Sequence, residues 1–244
     1  MALDKLTGRE VWRASVPAAG SRGRDGAAYS SIVVSNGAGV RQYVQLTGRG
    51  LVGVAAQDGR HLWSYDRVAN NVANIPTPIV SGDLVLASSG YQTGAALVRL
   101  SRSGSGVAAQ EVYFLEAPVL QNHHGGLVLV DGHVYGGHGH GRGFPICVEL
   151  RSGQVKWGGD IRNAGSGSAA VAYADGHLYF RYQNGIMMLI EATPAGYREK
   201  GSFTIPGVNE PSWSHPVVIG GRLYLREQDM LYVYDVARRS AANQ

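Results

Sequence analysis

Ala2-Leu3-Asp4-Lys5-Leu6-Thr7-Gly8-Arg9-Glu10-Val11-Trp12 sets out a phrase that the chain repeats with variation. A small apolar run leads to an Asp or other polar residue, then a Gly turn, then a Trp. The phrase returns as Val54-Ala55-Ala56-Gln57-Asp58-Gly59-Arg60-His61-Leu62-Trp63, and again as Val148-Glu149-Leu150-Arg151-Ser152-Gly153-Gln154-Val155-Lys156-Trp157. Self-similarity on a scale of roughly 40–50 residues means stacked supersecondary units. Between the copies lie short β-branched and aromatic runs joined by polar-Gly pairs, so the units are built of strands.

Strand repeats of this period imply an all-β fold, a β-propeller of four-stranded antiparallel blades. Each repeat divides into strands A to D, with A–B turns at Asn36-Gly37, Ser81-Gly82, Asp131-Gly132, Asp175-Gly176 and Gly220-Gly221. Such pairs tolerate the positive φ that tight hairpins require. The D strands end in an aromatic, Trp63, Tyr113, Trp157 and Phe203. These rings are best placed as wedges between neighbouring blades. One propeller domain is expected over 1–244, with blades at about 29–66, 75–116, 124–160 and 166–205. A fifth would be a composite of 213–236 with 1–13. The alternatives are a closed small ring or a partial arc of a larger propeller, whose exposed blade edges would favour self-association.

Composition agrees with short strands rather than long helices. Of 244 residues 44% are hydrophobic, enough for a substantial core, and 35 are Gly, which tight turns use and helices do not. The formal net charge is +4, but the Arg residues are scattered and no Lys/Arg run occurs, so no nucleic-acid partner is expected. Cys147 is the single cysteine. It excludes an internal disulfide and a thiolate-rich metal site, and its apolar neighbours read as a buried strand thiol. No apolar run approaches the ~18 residues of a membrane span. The chain opens on what reads as the third strand of a blade, without the apolar core of a signal peptide, which suggests an N-terminal truncation.

In a propeller the D–A and B–C connections emerge on one face, and here they gather the unusual residues. Asn74, His123, His124, Ser168, Trp213 and His215 fall on D–A connections; His138, His140, Arg142, Arg181, Tyr182 and Arg226 fall on B–C connections. The A–B turns are plain by comparison, so this face is the candidate ligand-binding surface, since binding residues concentrate on loops held by a rigid scaffold. His123-His124 with His138-Gly139-His140 offers four imidazoles, which suit a transition metal. No carboxylate adjoins them, however, and polar lining of the channel mouth is the favoured role. Arg181 and Arg226 occupy equivalent places in Leu-Tyr-Phe-Arg and Leu-Tyr-Leu-Arg, where two guanidiniums can clamp a carboxylate or phosphate. The competing role is pairing with Glu210, Glu227 or Asp229. No catalytic residue and no metal ligand set stands out.

The phrase at residues 2–12 closely resembles the pyrroloquinoline-quinone (PQQ) repeat of quinoprotein alcohol dehydrogenase-like propellers, and the copies at 54–63 and 148–157 extend the likeness. Polyvinylalcohol dehydrogenase-like repeat proteins share it, as does the non-enzymatic lipoprotein of the outer-membrane β-barrel assembly machine. The resemblance implies a propeller fold and a periplasmic or exported setting. Catalytic quinoproteins of this type have eight blades and hold the quinone between a Trp and, in many, a pair of adjacent cysteines. Glu, Asn and Asp ligate a calcium beside a catalytic Asp. Here there is no cysteine pair, and Trp213 is the sole candidate platform. The expectation is therefore a non-catalytic binding or scaffold module without cofactor, whose partner is a protein, a glycan or a small anionic ligand. A PQQ- and calcium-dependent alcohol or sugar oxidoreductase is the alternative, and a metal enzyme on the histidine cluster a third.

Overall fold

The computed structural model describes residues 1–17, 20–26 and 28–237, so 238–244 of the expected domain lie outside it. The chain divides into two compact units. One comprises Met1–His123 with Leu150–Gly153; the other comprises His124–Glu149 and the chain from Gln154 onward.

In the first unit, β1 (Ala2–Leu3) and β2 (Glu10–Trp12) form a two-stranded sheet. β3 (Val33–Ser35), β4 (Gln42–Thr47), β5 (Gly50–Ala55) and β6 (His61–Tyr65) follow as an antiparallel meander. β7 (Ile79–Ser81), β8 (Leu84–Ser89), β9 (Gly94–Ser103) and β10 (Gly106–Glu116) form the next. β5 and β8 are buried almost throughout, as central strands covered on both faces must be. Their apolar runs Leu51-Val52 and Leu84-Val85-Leu86-Ala87 supply that cover. Val44, Leu46 and Trp63 of one sheet pack with Val85, Ala96 and Val98 of the next.

The second unit contains three sheets. β11 (Leu127–Val130), β12 (His133–His138), β13 (Phe144–Glu149) and β14 (Val155–Gly158) make the first. β15 (Ala169–Ala174), β16 (His177–Tyr182), β17 (Ile186–Glu191) and β18 (Glu199–Thr204) make the second. β19 (Val217–Ile219), β20 (Arg222–Glu227) and β21 (Met230–Asp235) form a three-stranded third. Tyr135, Cys147, Val171, Leu178 and Phe180 fill the core between the first two sheets, while Met187, Ile205, Leu223 and Leu225 fill that between the last two.

The repeated phrase has a repeated conformation. Asp4 N donates to Arg9 O at 2.8 Å, Ala55 N to Arg60 O at 2.8 Å and Glu149 N to Gln154 O at 2.9 Å. The turn glycines Gly8, Gly59 and Gly153 have φ of 72°, 73° and 73°. In the first copy Asp4 Oδ1 also accepts from Leu6 N, Thr7 N and Thr7 Oγ1, closing an Asx turn. The glycines serve a second purpose. A Cβ on Gly59 would lie 2.4 Å from the Trp12 ring, and one on Gly153 would lie 3.2 Å from that of Tyr113. Tyr113 further donates its hydroxyl to Leu150 O at 2.8 Å. Trp157 spans to the following sheet, donating Nε1 to Thr193 O at 2.7 Å and packing against Tyr197.

Three A–B turns match the sequence expectation. Asp131-Gly132, Asp175-Gly176 and Gly220-Gly221 each have positive φ at both residues. Two differ. The second hairpin turns on Gly82-Asp83, one residue later than Ser81-Gly82, because Ser81 is still paired with Leu84. Asn36-Gly37 is no two-residue turn: Ser35 pairs with Gln42, and a 3-10 turn at Gly37–Gly39 fills the wider connection. The β9–β10 ribbon runs out to a tight turn between Ser103 and Gly106.

Glycines needed for positive φ alone and those that also receive a ring should respond differently to a Cβ. Gly59→Ala, which meets Trp12, should lower unfolding free energy by at least about 2 kcal/mol. Gly132→Ala, at φ 76° with open space around it, should cost only about 1 kcal/mol. Urea unfolding midpoints of the two variants check the difference.

Candidate functional site

The residues singled out in the sequence separate into structural braces and exposed groups. In the first unit Asn74 is 1% exposed and saturated. Its Oδ1 accepts from Asn70 N at 3.0 Å and Ser89 Oγ at 3.1 Å, and its Nδ2 donates to Gly48 O at 3.3 Å and Asn70 O at 3.1 Å. With its donors and acceptor engaged it braces the loop rather than meeting a ligand. His123 is half-buried, edge-on to Tyr91 with ring centroids 5.3 Å apart.

In the second unit Ser168 and Tyr182 are buried. Ser168 N donates to Gln183 Oε1 at 2.8 Å, and Asn163 Nδ2 donates to the Tyr182 hydroxyl at 2.9 Å. Burial pushes the Tyr182 phenol above its ordinary pKa, so it stays protonated at neutral pH. His138 is also buried, and desolvation pulls its pKa down, which keeps the imidazole neutral near pH 7. His140 is half-buried on the loop whose Gly139 and Gly141 have φ of 84° and 69°.

Arg181 and Arg226 do not form the expected clamp. Arg181 is 1% exposed and donates to Ser212 O through Nη1 and to Glu227 Oε2 through Nη2, while Glu227 is itself 3% exposed. Arg226, at the matching place in its repeat, is exposed and donates Nε to Gln228 O at 3.0 Å. The difference is one of packing: Ser212 on the 211–215 stretch and Glu227 at the end of β20 both bond Arg181. Burial lowers the Arg181 pKa against the opposing pull of Glu227, yet a guanidinium remains charged.

The ion pair fixes the 211–215 segment as one of four anchors. Gln228 Nε2 donates to Pro211 O at 3.2 Å, Arg181 to Ser212 O, Ser214 Oγ to Arg226 O at 2.6 Å and His215 Nε2 to His124 O at 3.2 Å. Between these anchors Trp213 is held 59% exposed, its ring 5.4 Å from that of His124. A Trp exposed on an ordered segment has the character of an interface anchor.

Two other guanidiniums of this unit share one aromatic ring. Arg142 and Arg162, both exposed, lie over the Phe144 ring with Cζ 5.9 and 5.7 Å from its centroid. Neither has an ion-pair partner among the described residues. Arg142 was legible as a loop cation; its pairing with Arg162 through Phe144 was not, because the three are joined only by the fold.

Among the described residues no three His, Cys, Asp or Glu side chains converge as a metal site, so the imidazoles do not make the ligand set weighed from sequence. Cys147 is buried, its thiol pushed up to about 11 chiefly by desolvation, which makes it a poor nucleophile. A quinone with calcium needs an aromatic platform beside converging carboxylates. Trp213, the candidate platform, has the His124 ring beside it at 5.4 Å.

Removing one partner of the buried pair leaves an uncompensated charge, so Glu227→Ala should cost about 3–5 kcal/mol. The double variant Arg181→Met/Glu227→Leu should recover most of that loss. Urea unfolding of the three proteins checks both expectations.

Comparison with known proteins bears on the fold. A PQQ_2 family model, described as outer membrane protein assembly factor BamB, matches residues 1–159. No curated protein sequence matches. Among solved structures BamB from Moraxella catarrhalis is similar, with a TM-score of 0.64 at 14% identity over 95% of this chain and 64% of that one. Quinohemoprotein alcohol dehydrogenase ADHIIG from Pseudomonas putida HK5 gives 0.59 at 14% identity over 86% of this chain and 40% of the other. A europium-containing methanol dehydrogenase gives 0.54 at 12% identity over 81% and 51%. The chain thus spans less than two thirds of the length of each, and identities this low speak to the fold alone. The repeated phrase, the antiparallel four-stranded sheets and the match over residues 1–159 together show that the chain belongs to the PQQ_2 family of β-propeller repeat proteins, the family described as outer membrane protein assembly factor BamB.

Proposed function

We propose that this chain is a non-catalytic PQQ-repeat binding module that works outside the cytoplasm, as the assembly-factor description of its family suggests. The observation that carries this reading is the four-anchor segment holding Trp213 exposed. An ordered aromatic costs little entropy to bury against a partner, so its apolar area is available for affinity. Arg142 and Arg162 add a cationic element suited to carboxylate, phosphate or sulfate groups. The partner is therefore a protein or glycan bearing acidic groups, and no residue is assigned to bond-making chemistry. The quinoprotein likeness supports the scaffold only, since fold does not carry function with it.

Binding to immobilised poly-L-glutamate and to dextran sulfate tests this, the two probes separating an acidic polypeptide from a sulfated glycan. Arg142→Ala/Arg162→Ala and Trp213→Ala should each weaken capture of at least one probe by about tenfold or more, with steep salt dependence. Unchanged affinities would count against the surface. Dye reduction by the protein with alcohol, PQQ and calcium, above a protein-free control, would count against the non-catalytic role.

A further inference from the structure

Two hairpins of the first unit depart from the regular repeat. The β3–β4 connection is widened by the 3-10 turn at Gly37–Gly39. The β9–β10 ribbon is built of strands of ten and eleven residues, whereas β4, β5 and β8 have six each. The two departures touch. A Cβ on Gly37 would lie 2.7 Å from Leu100 Cδ1, and Arg102 Nη2 donates to Gly39 O at 3.3 Å.

Both hairpins border a cleft of about 500 Å³. Arg41, Arg60 and Arg102 line it, all three exposed, together with the half-buried apolar side chains of Val40, Tyr43 and Leu62. Backbone bonds place two of the arginines. Ala56 N donates to Arg41 O at 3.0 Å and Ala55 N to Arg60 O at 2.8 Å, so Arg41 and Arg60 flank the end of β5 from its two sides. Arg102 comes from near the end of β9, and its bond to Gly39 O leaves its other N–H groups available. Asp58 is the one carboxylate among the described lining residues, and its Oδ1 accepts from Arg60 N at 3.0 Å. None of the three guanidiniums has an ion-pair partner among the described residues. Three cations against one carboxylate give a concave surface a positive potential that draws anions in.

We propose that this cleft binds a small organic bisphosphate. A guanidinium presents paired N–H donors that match phosphate oxygens in bidentate fashion. A phosphate monoester carries nearly two negative charges at neutral pH, so two such groups answer three arginines better than carboxylates do. The cations come from three separate places around the cleft, which suits two spaced phosphates on a connecting body. Val40, Tyr43 and Leu62 give that body an apolar surface to lie on. The cleft shares no residue with the Trp213 and Arg142–Arg162 surface, so the inference does not rest on the function proposed for that surface.

Calorimetric titration of the full chain with fructose bisphosphate tests the site, with inorganic phosphate and citrate as comparators. The bisphosphate should saturate at one per chain and bind at least about tenfold more tightly than either comparator. Arg41→Gln, Arg60→Gln and Arg102→Gln should each weaken it by about tenfold. Arg99→Gln removes the same charge from β9 at an exposed position outside the cleft and should change affinity by less than about twofold. No saturable binding at millimolar bisphosphate would overturn the proposal, as would citrate binding more tightly than the bisphosphate. An equal loss in Arg99→Gln would reduce the effect to general charge and overturn it too. So would binding that Arg142→Ala/Arg162→Ala abolishes and the three cleft variants leave intact, which would place the ligand on the other surface.

Discussion

An aromatic ring lying on a bare glycine sets the spacing on which the repeat depends. Trp12 reaches the place where Gly59 would carry a Cβ, and Tyr113 approaches Gly153 in the same way. Both glycines also hold a positive φ that other residues adopt only under strain. One residue type thus meets a conformational and a steric demand together, while the ring buries a large apolar area at the step. In each case the ring comes from an earlier repeat than the glycine, so the contact ties one sheet to the next rather than setting the Gly-to-Trp spacing within a phrase.

The fold was legible because its turn and strand signals are local in sequence. The Asp-Gly and Gly-Gly hairpins announce their turns by composition, and the central strands announce theirs by unbroken apolar runs. Where the reading slipped, the cause was competition between neighbouring turn formers. Asn36-Gly37-Ala38-Gly39 offers several turn positions, and the chain uses the wider one because Gly37 N bonds the Ser35 hydroxyl and Gln42 reaches back to Gly37 O. The Ser103–Gly106 turn was missed because its flanks are polar and exposed, without the apolar alternation that marks a strand.

The candidate site was less legible, for a physical reason. A polar residue on a propeller loop has the same appearance in sequence whether it braces the loop or faces a partner. Asn74, Arg181 and Tyr182 are unusual residues at the expected positions, and each is buried and bonded to the fold. Arg181 and Arg226 look equivalent in their repeats, yet packing buries one and leaves the other exposed. Conversely, the Arg142–Phe144–Arg162 grouping arises from a loop, a strand and a second loop that only packing brings together. Of the residues singled out, Trp213, His215, Arg142 and Arg226 stay exposed, an aromatic and polar or cationic groups suited to recognition.

The account centres on a tryptophan that is both open to solvent and fixed in place. Fluorine NMR of protein labelled with 5-fluorotryptophan, using a Trp213→Phe variant for assignment, measures both properties at once. The Trp213 resonance should broaden strongly with a water-soluble paramagnetic agent while that of buried Trp63 does not. Without the agent, Trp213 should be as broad as Trp63, as expected of an ordered ring. A sharp Trp213 line typical of free rotation, or protection from the agent equal to that of Trp63, would contradict the account.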